Sequence, residues 1–344
     1  MKPTHEKYHK FNGILKNDTN MLVLLGVFTT VTLFLGITLK GKFFSINNFQ
    51  SMAFQISEFG FLAIAMSLAM LTGGIDLSIV SNAGLSGIIA AFVLSGKFFN
   101  IESVSSGVTI LIAVLAALAC STLCGLFNGI LISKLSIPPI LATLGTMILY
   151  TGIGMALTNG ESVRVGIREF SKLSSKTLFD IPYIFILLVI TFIIVSFILS
   201  KTKFGSEIYM VGQNSVALRF SGVDAEKVLI KTYAMIGFLV GISSLIIISR
   251  VNSARMGFGD TYQLQTILVA VLGGIDPDGG KGKLFGVALG ITVLQFLQSA
   301  FTIFQFTPYS KKLIWGILLL AVMITNFFID NGKSLKLSRK IKAN

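Results

Sequence analysis

The chain has 344 residues, 53% of them hydrophobic and only 12% charged, a balance that excludes a water-soluble globular fold of this size. Its 28 Lys and Arg against 15 Asp and Glu leave a formal net charge of +13. The basic residues lie mostly in short loops and tails between apolar runs, so they read as orientation signals beside membrane lipid and not as a nucleic-acid surface.

Repeated apolar runs of about 18 or more residues mark membrane-spanning helices. After a polar, basic tail (1–19), an apolar run starts at Met21. It is too long for a signal-peptide core and no small-residue cleavage site follows, so it reads as a retained helix. The reading is an all-α polytopic membrane protein with about ten transmembrane helices. They fall near 20–39, 51–72, 78–96, 107–133, 138–158, 181–200, 228–249, 262–273, 284–305 and 310–329. The membrane domain is thus 20–330, followed by a basic tail, 331–344. The eighth segment is short for a full span, as a tilted or re-entrant piece would be. A cytoplasmic N-terminus puts most of the Lys and Arg inside, with the C-terminus inside too. The outer loop 159–180 opposes that bias with Arg164, Arg168, Lys172 and Lys176.

Two glycines, Gly73 and Gly74, end the second segment, and Asp76 follows at once. Glycine pairs weaken a helix, and an aspartate suits the start of the next one. A break inside the membrane domain is expected. The tetrapeptide Gly-Gly-Ile-Asp returns at Gly273, Gly274, Ile275 and Asp276. Two glycine-broken segments in an internal repeat point to a transporter's translocation site; chance recurrence is the plain alternative.

Other features have structural readings. Gly125 with Gly129, and Gly286 with Gly290, are G-x-x-x-G pairs suited to close helix packing, joined by Ala113, Ala116, Ala117 and Ala119. Pro138 and Pro139 suit the start of the fifth helix. Cys120 and Cys124 read as thiols packed in the bundle, and no His, Cys or carboxylate cluster has metal-ligand spacing. The longest inner segment, 201–227, predicts a short amphipathic helix ending in a glycine turn at Ser221 and Gly222. Such a helix is either a docking element for a partner or an interfacial helix on the headgroups. Asp276-Pro277-Asp278-Gly279 predicts a tight turn. The glycines and lysines after it do not form a Walker loop, which needs G-x-x-x-x-G-K and then Ser or Thr. No catalytic constellation is present, and the two histidines, His5 and His9, lie in the polar tail. Glu58 and Asp76 are too few for a proton relay. A transporter without its own energy source needs a partner that supplies one.

Five stretches, in order, resemble the permease subunits of bacterial ATP-binding-cassette importers for simple sugars, a group that also includes autoinducer-2 permeases. They are KFFSINNF (42–49), TGGIDLS (72–78), IPPILATLGTMILYTGIGMALTNG (137–160), GQNSVALRFSGV (212–223) and LGGIDPDGGKGKLFG (272–286). Two departures stand out: Ile79-Val80-Ser81 where Val-Gly-Ser is usual, and Val216-Ala217 where Ala-Ala is usual. The resemblance implies a non-enzymatic pore subunit in the bacterial plasma membrane, with no cofactor of its own. ATP would be bound by two cytoplasmic ATPase domains. A second permease copy or a different permease chain would pair with it, and an extracytoplasmic binding protein would deliver the solute. The coupling residues implied are Gly205, Gly212, Asn214, Ala217, Leu218, Ser221 and Gly222. Gly73, Gly74, Gly273 and Gly274 would line or hinge the pathway. A sugar path needs hydrogen-bonding side chains without fixed charge, and the candidates are Thr72, Asp76, Ser78, Asn82, Asn128 and Thr143. Each would serve equally as a buried helix-to-helix hydrogen bond. Autoinducer-2 or another small polar solute is the alternative cargo; an ATP-independent secondary carrier is the competing reading, and branched-chain amino acid permeases are the nearer rival.

Overall fold

The computed structural model describes residues 19–97 and 105–343; the tail 1–19, apart from its last residue, lies outside the described residues. Each of the ten apolar segments falls on a helix. These are α1 (Thr19–Leu39), α2 (Ile46–Leu71), α3 (Ile79–Leu94), α4 (Ser106–Ser133) and α5 (Pro139–Thr158). After a six-residue α6 (Arg168–Leu173) come α7 (Tyr183–Lys201), α8 (Lys203–Phe220) and α9 (Ala225–Val251). The chain closes with α10 (Asp260–Leu272), α11 (Leu284–Ile303) and α12 (Pro308–Ala343). Among the described residues, seven helices are long and apolar enough to cross a membrane: α2, α4, α5, α7, α9, α11 and the Pro308–Thr325 part of α12. Leu24–Leu39 and α3 are shorter apolar helices. At 13 residues, α10 is about 20 Å long, well short of a hydrocarbon core of about 30 Å.

Caps set several boundaries. Ser45 accepts from the Asn48 N–H, so α2 starts earlier than hydropathy alone suggests. Pro139 occupies the first turn of α5, as expected. The last helix runs on to Ala343 through the segment read as a tail, whose Lys, Leu, Arg and Ser residues all tolerate helix well.

The core is built around α2. Every residue from Ser57 to Leu71 is buried, and α7, α8, α9, α10 and α11 all pack against this helix. Gly60 makes room for Leu188 of α7: a Cβ there would sit 2.7 Å from a leucine methyl. The small-residue faces pack as their spacing predicts. A Cβ at Gly125 would lie 2.2 Å from the Tyr233 carbonyl, and one at Gly237 would lie 2.4 Å from the Ser121 carbonyl, so α4 and α9 touch backbone to backbone. Gly125→Val is therefore expected to destabilise the detergent-solubilised protein by about 1–3 kcal/mol, measured by thermal unfolding; Gly145→Ala, where nothing lies within 4 Å, should not. The faces turned outward carry large apolar side chains such as Leu111, Leu115, Ile148, Ile193 and Phe197, as lipid contact requires.

The loop 159–180 is more ordered than a bare linker. Its β1 (Val163–Arg164) pairs antiparallel with β4 (Ser253–Ala254), and β2 (Thr177–Leu178) with β3 (Ile181–Pro182). Val163, Val165, Ile167 and Phe170 close a second core over α3, α4 and α9. The alternation of apolar and polar residues from Val163 to Ile167 was the available signal.

Candidate functional site

The two glycine breaks are helix C-caps of one kind. At the end of α2, the Gly73 N–H donates to Met70 O and the Gly74 N–H to Ala69 O, with Gly73 at φ +83°. At the end of α10, the Gly274 N–H donates to Val271 O and the Ile275 N–H to Ala270 O, with Gly274 at φ +82°. Both are Schellman motifs, whose left-handed residue favours glycine. Relative to the shared tetrapeptide, however, the motif is displaced by one residue. In the first copy Gly73 supplies the left-handed turn and Gly74 the close approach, its missing Cβ making room for the Pro139 ring. In the second the order reverses: Gly273 lets the Val287 backbone of α11 approach, and Gly274 makes the turn. Alanine at Gly73 or Gly274 should cost about 1–2 kcal/mol from strain alone, read as a lowered unfolding midpoint in detergent.

The loop after the first break is held by a closed network. Asp76, 2% exposed, accepts from both the backbone N–H and the hydroxyl of Ser78, at 2.9 and 2.7 Å. The aspartate thus makes an Asx turn two residues before the cap of α3, a correction to the expectation that it caps that helix directly: Ser78 stands at the cap position. Asn128 of α4 donates to the Ser78 hydroxyl at 2.7 Å. Thr143 of α5 accepts from the Leu77 N–H at 3.1 Å and donates to a backbone carbonyl, Ile75 O lying at 3.0 Å and Pro139 O at 2.8 Å. Asn82 reaches Ser121 O on α4, and the Thr72 hydroxyl returns to Ala69 O. The structure thus gathers Asp76, Ser78, Asn128 and Thr143 about one loop, with Thr72 and Asn82 at its two ends. The Asn82 and Asn128 carbonyl oxygens are buried without a partner.

The second loop closes the expected turn, the Gly279 N–H donating to Asp276 O at 3.0 Å. Asp276 also pairs with Lys281 at 3.1 Å on the surface.

The segment 203–220 is the expected helix, but kinked. Asn214 leaves helical geometry (φ −163°, ψ 99°), and its side chain accepts from the Ala217 N–H, capping a second short helix. Gly222 at φ +78° ends it. The two halves face different ways. The first half inserts between the two glycine loops. Gly212 lies so close that a Cβ would sit 2.0 Å from Leu71 O and 2.5 Å from the Gly280 nitrogen. The Gly280 N–H donates to Leu71 O at 2.9 Å, Gln213 donates to Gly280 O at 3.0 Å, and the Tyr209 hydroxyl donates to Gly282 O at 3.1 Å. Both breaks therefore meet α8 at one end of the bundle. Gly205 is buried against Ile198 and Leu199 of α7. In the second half only Leu218 is buried; Asn214, Ala217, Ser221 and Gly222 are exposed. So are Val216, at 61%, and Phe220, at 90%, four residues apart on one face.

A second polar cluster lies half-way along α2. Glu58 accepts from Arg250 of α9 and from the Tyr262 hydroxyl of α10. The sequence singled out Glu58 but neither partner.

A family model described as the branched-chain amino acid transport system / permease component matches residues 48–323. The chain belongs to this permease family. The ribose import permease protein of Escherichia coli strain K12 is 32% identical over 317 residues, covering 91% of this chain and 94% of that one. The ribose import permease of Bacillus subtilis is 28% identical, with 96% and 98% covered. The autoinducer 2 import system permease protein LsrC of Yersinia pseudotuberculosis is 30% identical, with 90% and 85% covered. No solved structure matches. These relatives are permeases of the group that the TGGIDLS stretch and its four companion motifs resemble.

Proposed function

We propose that the chain is the membrane-spanning subunit of an ATP-driven importer that carries a small neutral sugar into the cytoplasm. The carrying observation is likeness over more than nine-tenths of both chains to a ribose import permease. ATP hydrolysis belongs to separate cytoplasmic subunits, and the permease works as a pair with a second permease chain. In this reading all ten apolar helices cross the bilayer, with α3 and α10 shortened because the glycine loops complete their depth. Both termini are cytoplasmic. The exposed face of Val216 and Phe220 docks an ATPase, and the first half of α8 passes its movement to both glycine loops at once. At the opposite end, exposed Arg164, Arg168, Lys172 and Lys176 suit an acidic face on an external binding protein.

The test is reconstitution of the chain with its co-purifying ATPase and binding protein in proteoliposomes. ATP-dependent ribose uptake is expected, and none without ATP. Flux from the chain alone, without nucleotide, would establish the secondary-carrier reading instead. Phe220→Asp combined with Val216→Asp should remove the ATPase from the purified complex while the permease still reaches the membrane. An undiminished complex would exclude this docking face.

A further inference from the structure

Three of the long apolar helices, α2, α7 and α11, leave a groove of about 580 Å³ between them. Ala53 and Ile56 of α2, Phe185 and Phe192 of α7, and Ala288 and Phe296 of α11 form its walls. The volume falls in the range of roughly 300–1,000 Å³ that small-molecule sites occupy. Among the described residues that line it, only Gln50, Asp180 and Thr292 have polar side chains. The Thr292 hydroxyl donates to Ala288 O at 2.9 Å within its own helix, so the interior offers a polar solute no free donor. Gln50 and Asp180 stand together at one end, the Gln50 side chain donating to Asp180 O at 3.3 Å. The groove is thus polar at a single end and apolar along the rest of its length.

That pattern matches an amphiphile lying along the helices. From Ile46 to Ile56 the α2 wall is about 15 Å long, half of a hydrocarbon core of about 30 Å, so the groove serves one leaflet. Ile64, fully buried, is the α2 lining residue farthest from the polar end. The polar end carries a second sign of lipid. Phe179 and Asp180 join β2 to β3 in a two-residue hairpin turn, both in the left-handed region at φ +49° and +65°. A bulky side chain rarely adopts that conformation, yet Phe179 holds it with 91% of its surface exposed. Strain that packs nothing inside the protein implies a contact outside it. Phe179 also lines the groove, which puts its ring at the mouth. We infer that the groove binds one acyl chain of a membrane phospholipid, in the leaflet on the side of the loop 159–180, with Phe179 and the Gln50–Asp180 pair at headgroup level. All three walls are helices apolar and long enough to cross the bilayer, where acyl chains are the solvent. Leu188, which Gly60 of α2 admits, lies on the same wall, so the lipid backs the contact between α7 and the central helix. The assignment does not depend on what is transported.

The experiment uses the full-length chain in detergent, washed free of native lipid. Phosphatidylcholine brominated along its acyl chains is the probe and tryptophan fluorescence the readout. The single native tryptophan, Trp315, is buried on α12 and supplies a constant background. Phe192→Trp places a reporter in the groove, and Ile193→Trp places one beside it on the outward face, where residue 193 is 60% exposed. Quenching of Phe192→Trp is expected to saturate at one lipid per chain, whereas Ile193→Trp is quenched only by lipid in excess. Ala53→Phe combined with Ala288→Phe fills the groove from two walls and is expected to abolish the saturable quenching, with an unchanged thermal midpoint reporting the fold. The comparison of the two reporters stands even where the filled variant fails to fold. Equal quenching at both positions would mean surrounding lipid only and would overturn the assignment. So would saturable quenching that survives filling, or no quenching of Phe192→Trp, the result expected if a second permease chain covers the groove.

Discussion

Replacing Gly212 with valine is expected to abolish ATP-dependent uptake. No side chain can bend away to make room, because both neighbours are backbone: Leu71 O at 2.0 Å and the Gly280 nitrogen at 2.5 Å from the added Cβ. Those two atoms are themselves joined by a 2.9 Å hydrogen bond. The substitution therefore parts α8, the end of α2 and the second glycine loop together. Overpacking of this kind costs about 1–3 kcal/mol, and separating the hydrogen bond adds roughly 0.5–1.5 kcal/mol. The variant should retain ATPase binding, because Val216 and Phe220 lie beyond the Asn214 kink on the other half of the helix. Uptake and co-purification measured on the same preparation separate the two effects. Loss of uptake with the ATPase still attached places the fault in transmission. Normal uptake would exclude Gly212 from the coupling path.

Much of the helical framework was legible, and the reason is simple. Apolar runs in a membrane protein are long, and the groups that end them are local: Ser45, the Pro138-Pro139 pair, and glycines placed one or two residues past a helix. The glycine loops were legible as breaks but not in their register. The same four residues close α2 at Leu71 and α10 at Leu272, so the left-handed position falls on the first glycine in one copy and the second in the other. A repeat of letters does not fix a repeat of dihedral angles. Asp76 was legible as a polar residue that needed partners, whereas Ser78 as its donor depends on a turn with no periodic signature.

The polar cluster around Glu58 was the least visible feature. Glutamines are uncharged and do not interrupt an apolar run, so Gln295 and Gln298 pass unnoticed in a hydropathy reading. Their spacing of three, matched by Gln55 and Glu58 on α2, was the one local signal that two helix faces are polar. That these faces meet, and that Arg250 closes the cluster from 192 residues away, is a tertiary fact.

Arg250→Leu is expected to be more damaging than removal of both partners. Glu58 is buried in the middle of the central helix, and its carboxylate is held by Arg250 and Tyr262. Taking away the guanidinium leaves a buried charge with a single hydroxyl donor. Breaking such a pair from one side costs about 3–5 kcal/mol, whereas replacing both ions with apolar groups of similar size is often close to neutral. Arg250→Leu should therefore lower the thermal midpoint in detergent sharply, and Glu58→Leu/Arg250→Leu should recover most of the loss. Coupling in a double-mutant cycle of that sign and size identifies the pair as interdependent. Additive single effects would mean that each residue is held by other groups.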